Sequence, residues 1–315
     1  MIRLVTDGLA LNSRRTYSKA VEKYIDFCVV YSINPLILDE TNILRFIYFL
    51  VVSGLAPATI RVYLSGLRAW LINQGARDVS LYTPRVKLAI RAAERRAPPP
   101  SRVKPITYPL LSKVFYFLPY TLYHMVGFTA MLVGYFGCLR AAEYLPDRDS
   151  APPNLPADLE FVDASPAYGV LKIPSSKTAA KGFKVVIGCT GTQICALCWL
   201  DYLLRARQLP KGDPLFAISP GVVLSRPQFS RFIRESLLAA SVDPTGYTPH
   251  SLRAGAATHA AGVGLPDSTI QALGRWRSAA YRAYIRPQDE QLAQLSSQLA
   301  AAHGPPAHNS TNLPY

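Results

Sequence analysis

The 315-residue chain predicts a mostly α-helical fold with a small β-sheet, an α+β arrangement in two domains. Three observations carry this. Apolar residues recur at helical spacing three times in the first hundred residues, and a basic, Pro-rich break follows near residue 98. Beyond it, helical stretches flank one alternating region punctuated by Gly and Pro. Half of the residues are apolar, which excludes a wholly disordered chain and supplies material for two cores.

The first three helices follow from the i, i+3, i+4, i+7 sets Val21/Tyr24/Ile25/Cys28, Ile43/Phe46/Ile47/Leu50 and Ile60/Tyr63/Leu64/Leu67. A fourth is predicted from Pro84 to Arg96, with Thr83 as N-cap and Pro84 at the first helical position. Together they predict a helical domain over residues 1–97. Pro98-Pro99-Pro100 then stops any helix, and residues 98–106 read as a basic linker. From residue 107 the expected elements are helices at Leu110–Leu118 and Tyr123–Leu145, then paired strands at Tyr168–Ile173 and Phe183–Ile187. Helices resume at Cys195–Leu209, Pro227–Ala240, Ser251–Ala261, Pro266–Leu273 and Gln288–Ala302, and the Pro/Asn/Ser-rich tail from His303 to Tyr315 is expected to be disordered.

Lys and Arg number 34 against 20 Asp and Glu, a formal charge of +14 that favours a polyanionic partner. The surplus is uneven. Residues 1–104 hold 16 basic and 7 acidic residues, and Arg85, Lys87, Arg91, Arg95, Arg96, Arg102 and Lys104 face the single acid Glu94 in the last twenty. A charge run of this kind is ordinarily a solvated helix face. Concentration of the surplus in the helical domain and linker favours a phosphate-facing surface instead.

No Lys, Arg, Asp or Glu occurs from Val114 to Leu139, long enough to cross a bilayer on length alone. Pro119, His124 and four tyrosines make the stretch too polar for that, and it is read as buried core helix. The start, MIRLVTDGLALNSRR, lacks the apolar run of a signal peptide, so the five cysteines are expected to be free thiols in an intracellular protein. Cys195-x-x-Cys198 has zinc-ligand spacing. A closed structural site wants four ligands, however, and no second CxxC or HxxxH pair lies nearby. Ile194, Leu197, Trp199 and Leu200 around it read as a buried helix face, so no metal is expected. Neither a phosphate-binding lysine loop nor a GxGxxG fingerprint is present, which leaves nucleotide cofactors without support.

The densest chemical signal is His250-Ser-Leu-Arg253, a polar pair three apart at the start of a predicted helix. Leu273-Gly274-Arg275-Trp276 and Ala283-Tyr284-Ile285-Arg286 follow it, and Gly137-Cys138-Leu139-Arg140-Ala-Ala-Glu143 precedes it. Four such boxes in this order resemble the tyrosine recombinase (phage integrase-like) family over nearly the whole chain. With Leu265-Pro266-Asp267 and Ala279-Ala280-Tyr281, the wording is most similar to recombinases of eukaryotic DIRS-like and Crypton-like mobile elements. The resemblance implies a helical core-binding (SAM-like) domain and a tyrosine recombinase catalytic domain over 107–302. It further implies site-specific cutting and rejoining of double-stranded DNA through a 3′-phosphotyrosyl bond, with no cofactor and no metal.

The implied roles answer a physical need: a nucleophile, cations on the non-bridging oxygens, and an acid for the departing 5′ oxygen. Tyr284 matches the nucleophile, with Tyr281, three residues earlier on the same predicted helix, as the rival or packing residue. Arg140 and Arg253 match the phosphate clamp, and Glu143 is a structural partner for Arg140 or for the loop before His250. Lys177, in the turn between the paired strands, matches the general acid, with Lys181 and Lys184 as competitors. His250 would position or deprotonate the tyrosine hydroxyl. The last phosphate-contact position is ambiguous, Arg275 holding the ungapped place and Trp276 one later; Trp276 is favoured. Arg61, Arg68, Arg85, Lys87, Arg91, Arg95, Arg96 and Lys104 are the expected backbone contacts in a C-shaped clamp. Leu292, Leu295 and Leu299 on the last helix imply docking on a neighbouring protomer, as a dimer on a site and a tetramer in the synapse, with no membrane partner. The location implied is the nucleus in a eukaryotic host and the cytoplasm otherwise. Two other readings share the boxes: a decayed or domesticated DNA-binding copy, and a type IB topoisomerase.

Overall fold

A computed structural model describes residues 11–37, 39–75, 81–99, 103–147, 158–165, 167–173, 182–207, 209–210 and 212–285. The chain divides into two compact units, Met1–Ser101 and Arg102–Tyr315.

Unit 1 consists of α1 (Leu11–Val30), α2 (Glu40–Val52), α3 (Pro57–Asn73) and α4 (Pro84–Arg96). The predicted stripes mostly face inward: Tyr24, Cys28, Ile43, Phe46, Ile47, Leu50, Ile60, Leu64 and Leu67 are buried in one cluster, whereas Val21, Ile25 and Tyr63 are only half-buried and Phe27, outside the predicted set, is buried. Burial of this kind, at roughly 25 cal/mol per Å², holds short helices that would be marginal alone. Helix α4 starts as its sequence predicts, with the Thr83 hydroxyl accepting from the Val86 N–H at 3.3 Å. Five of the basic residues before the Pro run are therefore helical, with Lys87, Arg91 and Arg95 exposed at i, i+4 and i+8.

Unit 2 runs α5 (Tyr108–Tyr116), α6 (Leu122–Phe136), α7 (Ala141–Tyr144), β1 (Leu159–Val162), β2 (Tyr168–Ile173), β3 (Phe183–Gly188), α8 (Ala196–Ala206), β4 (Ala217–Ser219), β5 (Val222–Val223), α9 (Arg226–Ala239), α10 (His250–Gly262), α11 (Asp267–Gly274) and a 3₁₀ turn, Ala279–Ala283. Strands β1, β2 and β3 form an antiparallel sheet in that order, with Leu159 opposite Leu171 and Ile173 opposite Phe183. Strands β4 and β5 form a small hairpin. The charge-free stretch supplies the centre of this unit: every residue of α6 from Val126 to Tyr135 is buried. Among the described residues no helix is long and apolar enough to cross a membrane.

Several expectations are corrected here. The predicted helix Tyr123–Leu145 is broken, because α6 stops at Phe136 and Cys138 takes a left-handed conformation (φ +46°) before α7 begins. A β-carbon on Gly137 would lie 2.7 Å from the Val133 carbonyl, so the bend demands a glycine there. Tyr281 and Tyr284 share no α-helix; the first lies in the 3₁₀ turn and the second ends it. Lys104, expected in the linker, already belongs to unit 2: its N–H donates to the Gly246 carbonyl at 2.9 Å and its ammonium lies over the Tyr247 ring. The predicted helix Gln288–Ala302 and the tail from residue 303 lie outside the described residues, as do Arg102 and Arg286.

Candidate active site

The bend after α6 organises the site. Its reversed chain leaves the Gly137 and Cys138 carbonyls outside any helix, and two arginines from distant segments take them. Arg253, on the first turn of α10, donates from Nη1 to the Cys138 carbonyl and from Nη2 to the Gly274 carbonyl, each at 2.6 Å. Arg275, itself left-handed (φ +55°) at the end of α11, donates from Nη2 to the Cys138 carbonyl at 3.1 Å and reaches the Gly137 carbonyl at 3.3 Å. The two arginine-bearing boxes are thus fastened to the first one through main chain.

Arg140 follows the bend in extended conformation as the N-cap of α7, not as the end of a helix. Its N–H and its Nη1 both donate to Glu143, at 2.8 and 3.0 Å. Glu143 is buried, and Arg275 Nη2 lies 3.8 Å from its Oε2, so one carboxylate stands between two guanidinium groups. The Arg140 side chain is 36 % exposed, which leaves a cation available to an incoming phosphate.

His250 and Tyr284 meet. His250 begins α10, and its Nε2 is 2.9 Å from the Tyr284 hydroxyl. Burial lowers the His250 pKa, and the charges of Arg253 and Arg140 lower it further against the opposing pull of Glu143. The imidazole is therefore neutral at pH 7 and can accept the phenol proton. Tyr284 is fixed from behind, its carbonyl accepting from the Thr258 hydroxyl at 2.8 Å and its N–H donating to the Tyr281 carbonyl.

Tyr281 is 3 % exposed and packs 6.0 Å from Trp276, which gives it a packing role. Trp276 is 7 % exposed and sits between Tyr284, 5.5 Å away, and the Arg253 guanidinium, 4.2 Å from its ring centre. Its indole N–H and the Arg253 Nε–H are buried without an acceptor among the described residues. Arg253 itself is fully buried, so the guanidinium expected on the phosphate is here engaged with main chain.

The structure thus brings together Arg140, Glu143, His250, Arg253, Arg275, Trp276 and Tyr284 from four segments. Lys177 and Lys181 lie outside the described residues; Lys184 is exposed on β3, opposite Lys172. In unit 1, Arg61 is paired with Glu94, and Arg85 with Glu40 at 2.8 Å, so two expected DNA contacts bridge helices of their own unit. Sequence reading missed Thr258 and the Gly137–Cys138 carbonyls, since main-chain acceptors leave no mark in a sequence pattern.

This is the fold of a tyrosine recombinase catalytic unit, and the comparisons agree with that assignment. Residues 168–291 match the phage integrase family model. The XerH site-specific recombinase, solved with difH substrate before cleavage, is similar with a TM-score of 0.62 at 16 % identity, over 91 % of this chain and 79 % of that one. A lambda integrase dimer bound to a COC′ core site gives 0.61 at 17 % identity, over 90 % and 74 %. The Tn1549 transposon integrase with circular intermediate DNA gives 0.52 at 12 % identity, over 83 % and 85 %. A comparison with curated proteins finds no match.

Proposed function

We propose that the protein is a site-specific DNA recombinase that cuts and rejoins duplex DNA through a 3′-phosphotyrosyl intermediate on Tyr284. The observation that carries this reading is the 2.9 Å contact between the Tyr284 hydroxyl and a neutral His250. A free phenol, with pKa about 10, is mostly protonated at neutral pH and needs such an acceptor. Tyr284 Oη attacks phosphorus as its proton passes to His250. The P–O bond to the 5′ oxygen breaks, and that oxygen takes a proton from Lys177. Attack by a 5′ hydroxyl on the phosphotyrosine reverses the steps and rejoins the strand, so bond energy is kept and no nucleotide is spent. Arg140 meets the non-bridging oxygens, and the unpaired donors of Arg253 and Trp276 are the groups whose burial an anion would offset.

Finer parts of the reading rest on motif resemblance and on what the similar structures hold. The source would be a DIRS-like or Crypton-like mobile element. The partner would be double-stranded DNA gripped by a dimer, with a tetramer at synapsis joined through residues 288–302, and the location the nucleus, or the cytoplasm of a prokaryote.

A second reading, a copy that binds DNA without cutting, is favoured by the engagement of both Arg253 terminal nitrogens with main chain. One assay separates the two. Duplexes selected by the protein from a random library are nicked as suicide substrates and incubated with the protein. A covalent adduct that survives denaturation and disappears in Tyr284→Phe but not in Tyr281→Phe supports the recombinase. Tight binding with no adduct supports the second reading, and site-independent relaxation of supercoiled DNA by monomers would indicate a topoisomerase.

A further inference from the structure

Away from the phosphate site, three cysteines converge. Cys189 follows the last residue of β3, Cys195 is the N-cap of α8, and Cys198 is on the first turn of that helix. The turn between strand and helix, with Gly191 left-handed at φ +65°, folds back so that Cys189 Sγ is 3.8 Å from both Cys195 Sγ and Cys198 Sγ. All three sulfurs lie within 4.8 Å of one another. A tetrahedral zinc ion with Zn–S bonds of about 2.3 Å places its sulfurs about 3.8 Å apart, the spacing found here for Cys189 with each of the other two. The sequence raised Cys189, Cys195 and Cys198 together, with ligand spacing along the chain only at Cys195/Cys198, and set a metal aside for want of a fourth protein ligand; the fold brings all three sulfurs to one place.

We propose that Cys189, Cys195 and Cys198 bind one zinc ion as thiolates, with the fourth coordination position open to water. Cys195 is buried, Cys189 half-buried and Cys198 exposed, so the ion would be walled by protein on one side and reachable from the other. A set of three soft sulfurs excludes magnesium and calcium. The pocket is prepared for negative charge. The Thr190 N–H donates to Cys195 Sγ at 3.3 Å, and the first turn of α8 puts the positive end of the helix dipole beside the sulfurs. Burial opposes ionisation of Cys195, but the N–H donors of Thr190 and Cys198 outweigh it and lower its pKa, while burial and the neighbouring sulfurs raise that of Cys198. Each thiol that is protonated releases its proton to solvent as its bond to zinc forms, and no electron is exchanged.

The ion would tie the end of β3 to the start of α8, where the Trp199 indole already holds the turn through the Gln193 carbonyl at 2.8 Å. Strand β3 pairs antiparallel with β2, and Cys189 follows the end of β3 where Gly188 lies opposite Tyr168, so the metal would clamp the base of that strand pair. This site is independent of the proposed strand-transfer chemistry, and its test needs no DNA.

The full-length chain, reduced and freed of metal with a chelator, is titrated with cobalt(II) and then with zinc. One equivalent of cobalt is expected to give the intense visible bands of a tetrahedral thiolate site, displaced by one equivalent of zinc. Cys198→Ser, an exposed position that leaves the core intact, is expected to lose those bands, and Cys28→Ser in unit 1 to keep them. Zinc is expected to raise the melting temperature of the wild type and not that of Cys198→Ser. Failure of the reduced protein to take up one equivalent, an unchanged spectrum in Cys198→Ser, or recovery of two of the three sulfurs as a disulfide from protein kept under reducing conditions would overturn the proposal.

Discussion

His250 illustrates how much of the site depends on surroundings and not on residue type. Its ring is neutral because it is buried beside two arginines, and that same fact sets two pH dependences. In the unfolded chain an imidazole titrates near 6.5, whereas in the fold it resists protonation until lower pH. Between those two values the unfolded state binds more protons, so stability falls as pH drops through about 6.5 toward the folded pKa. Urea unfolding midpoints measured from pH 8 to pH 5 are expected to decline more steeply in the wild type than in His250→Gln. The acid limb of DNA cleavage is expected below pH 6.5 for the same reason, and His250→Gln is expected to slow cleavage by about 10²- to 10⁴-fold. An acid limb retained in His250→Gln would assign it to another group. The pairing of His250 with Tyr284 was legible in the sequence only through motif order. The engagement of Arg253 with main chain was not, because both acceptors, the carbonyls of Cys138 and Gly274, are groups every residue carries.

Periodicity marked the helices of unit 1 well, since each buries one apolar stripe in a common cluster. It failed over Tyr123–Leu145, where a fully buried helix and the bend after it are equally apolar. Strand β1 and the β4–β5 hairpin also left no clear pattern, being two to four residues long and only partly buried. The bend matters most, because it turns Arg140 from a helix end into an N-cap facing Glu143. The packing around α10 and α11 makes further demands at single glycines. A β-carbon at Gly255 would lie 1.8 Å from the Ile106 carbonyl oxygen, and one at Gly274 the same distance from the Trp276 ring. Gly255→Ala is therefore expected to cost about 3 kcal/mol or more in urea unfolding, while Gly188→Ala, which meets nothing within 4 Å, should cost much less. Gly274→Ala should displace Trp276 from Arg253, measurable as altered tryptophan fluorescence together with reduced cleavage.

At the scale of the molecule, charge and chemistry are divided between the two units. The exposed row Lys87, Arg91 and Arg95 on α4 suits phosphate contact better than Arg61 and Arg85, which already have carboxylate partners. The positive surplus of unit 1 was visible in composition, but which arginines are occupied required the fold. Alanine at Lys87, Arg91 and Arg95 together is expected to weaken binding to all duplexes alike. It should also reduce the slope of log affinity against log salt by roughly 0.9 for each phosphate no longer neutralised, as measured by fluorescence anisotropy. An unchanged slope would move the DNA-facing surface elsewhere. The central claim is that unit 2 joins DNA covalently through one phenol, and peptide mapping of the trapped adduct tests it most directly. After nuclease and protease digestion, mass spectrometry is expected to find a nucleotide attached through its 3′ phosphate to Tyr284. Attachment to Tyr281 or to any other residue, or through a 5′ phosphate, would contradict the account.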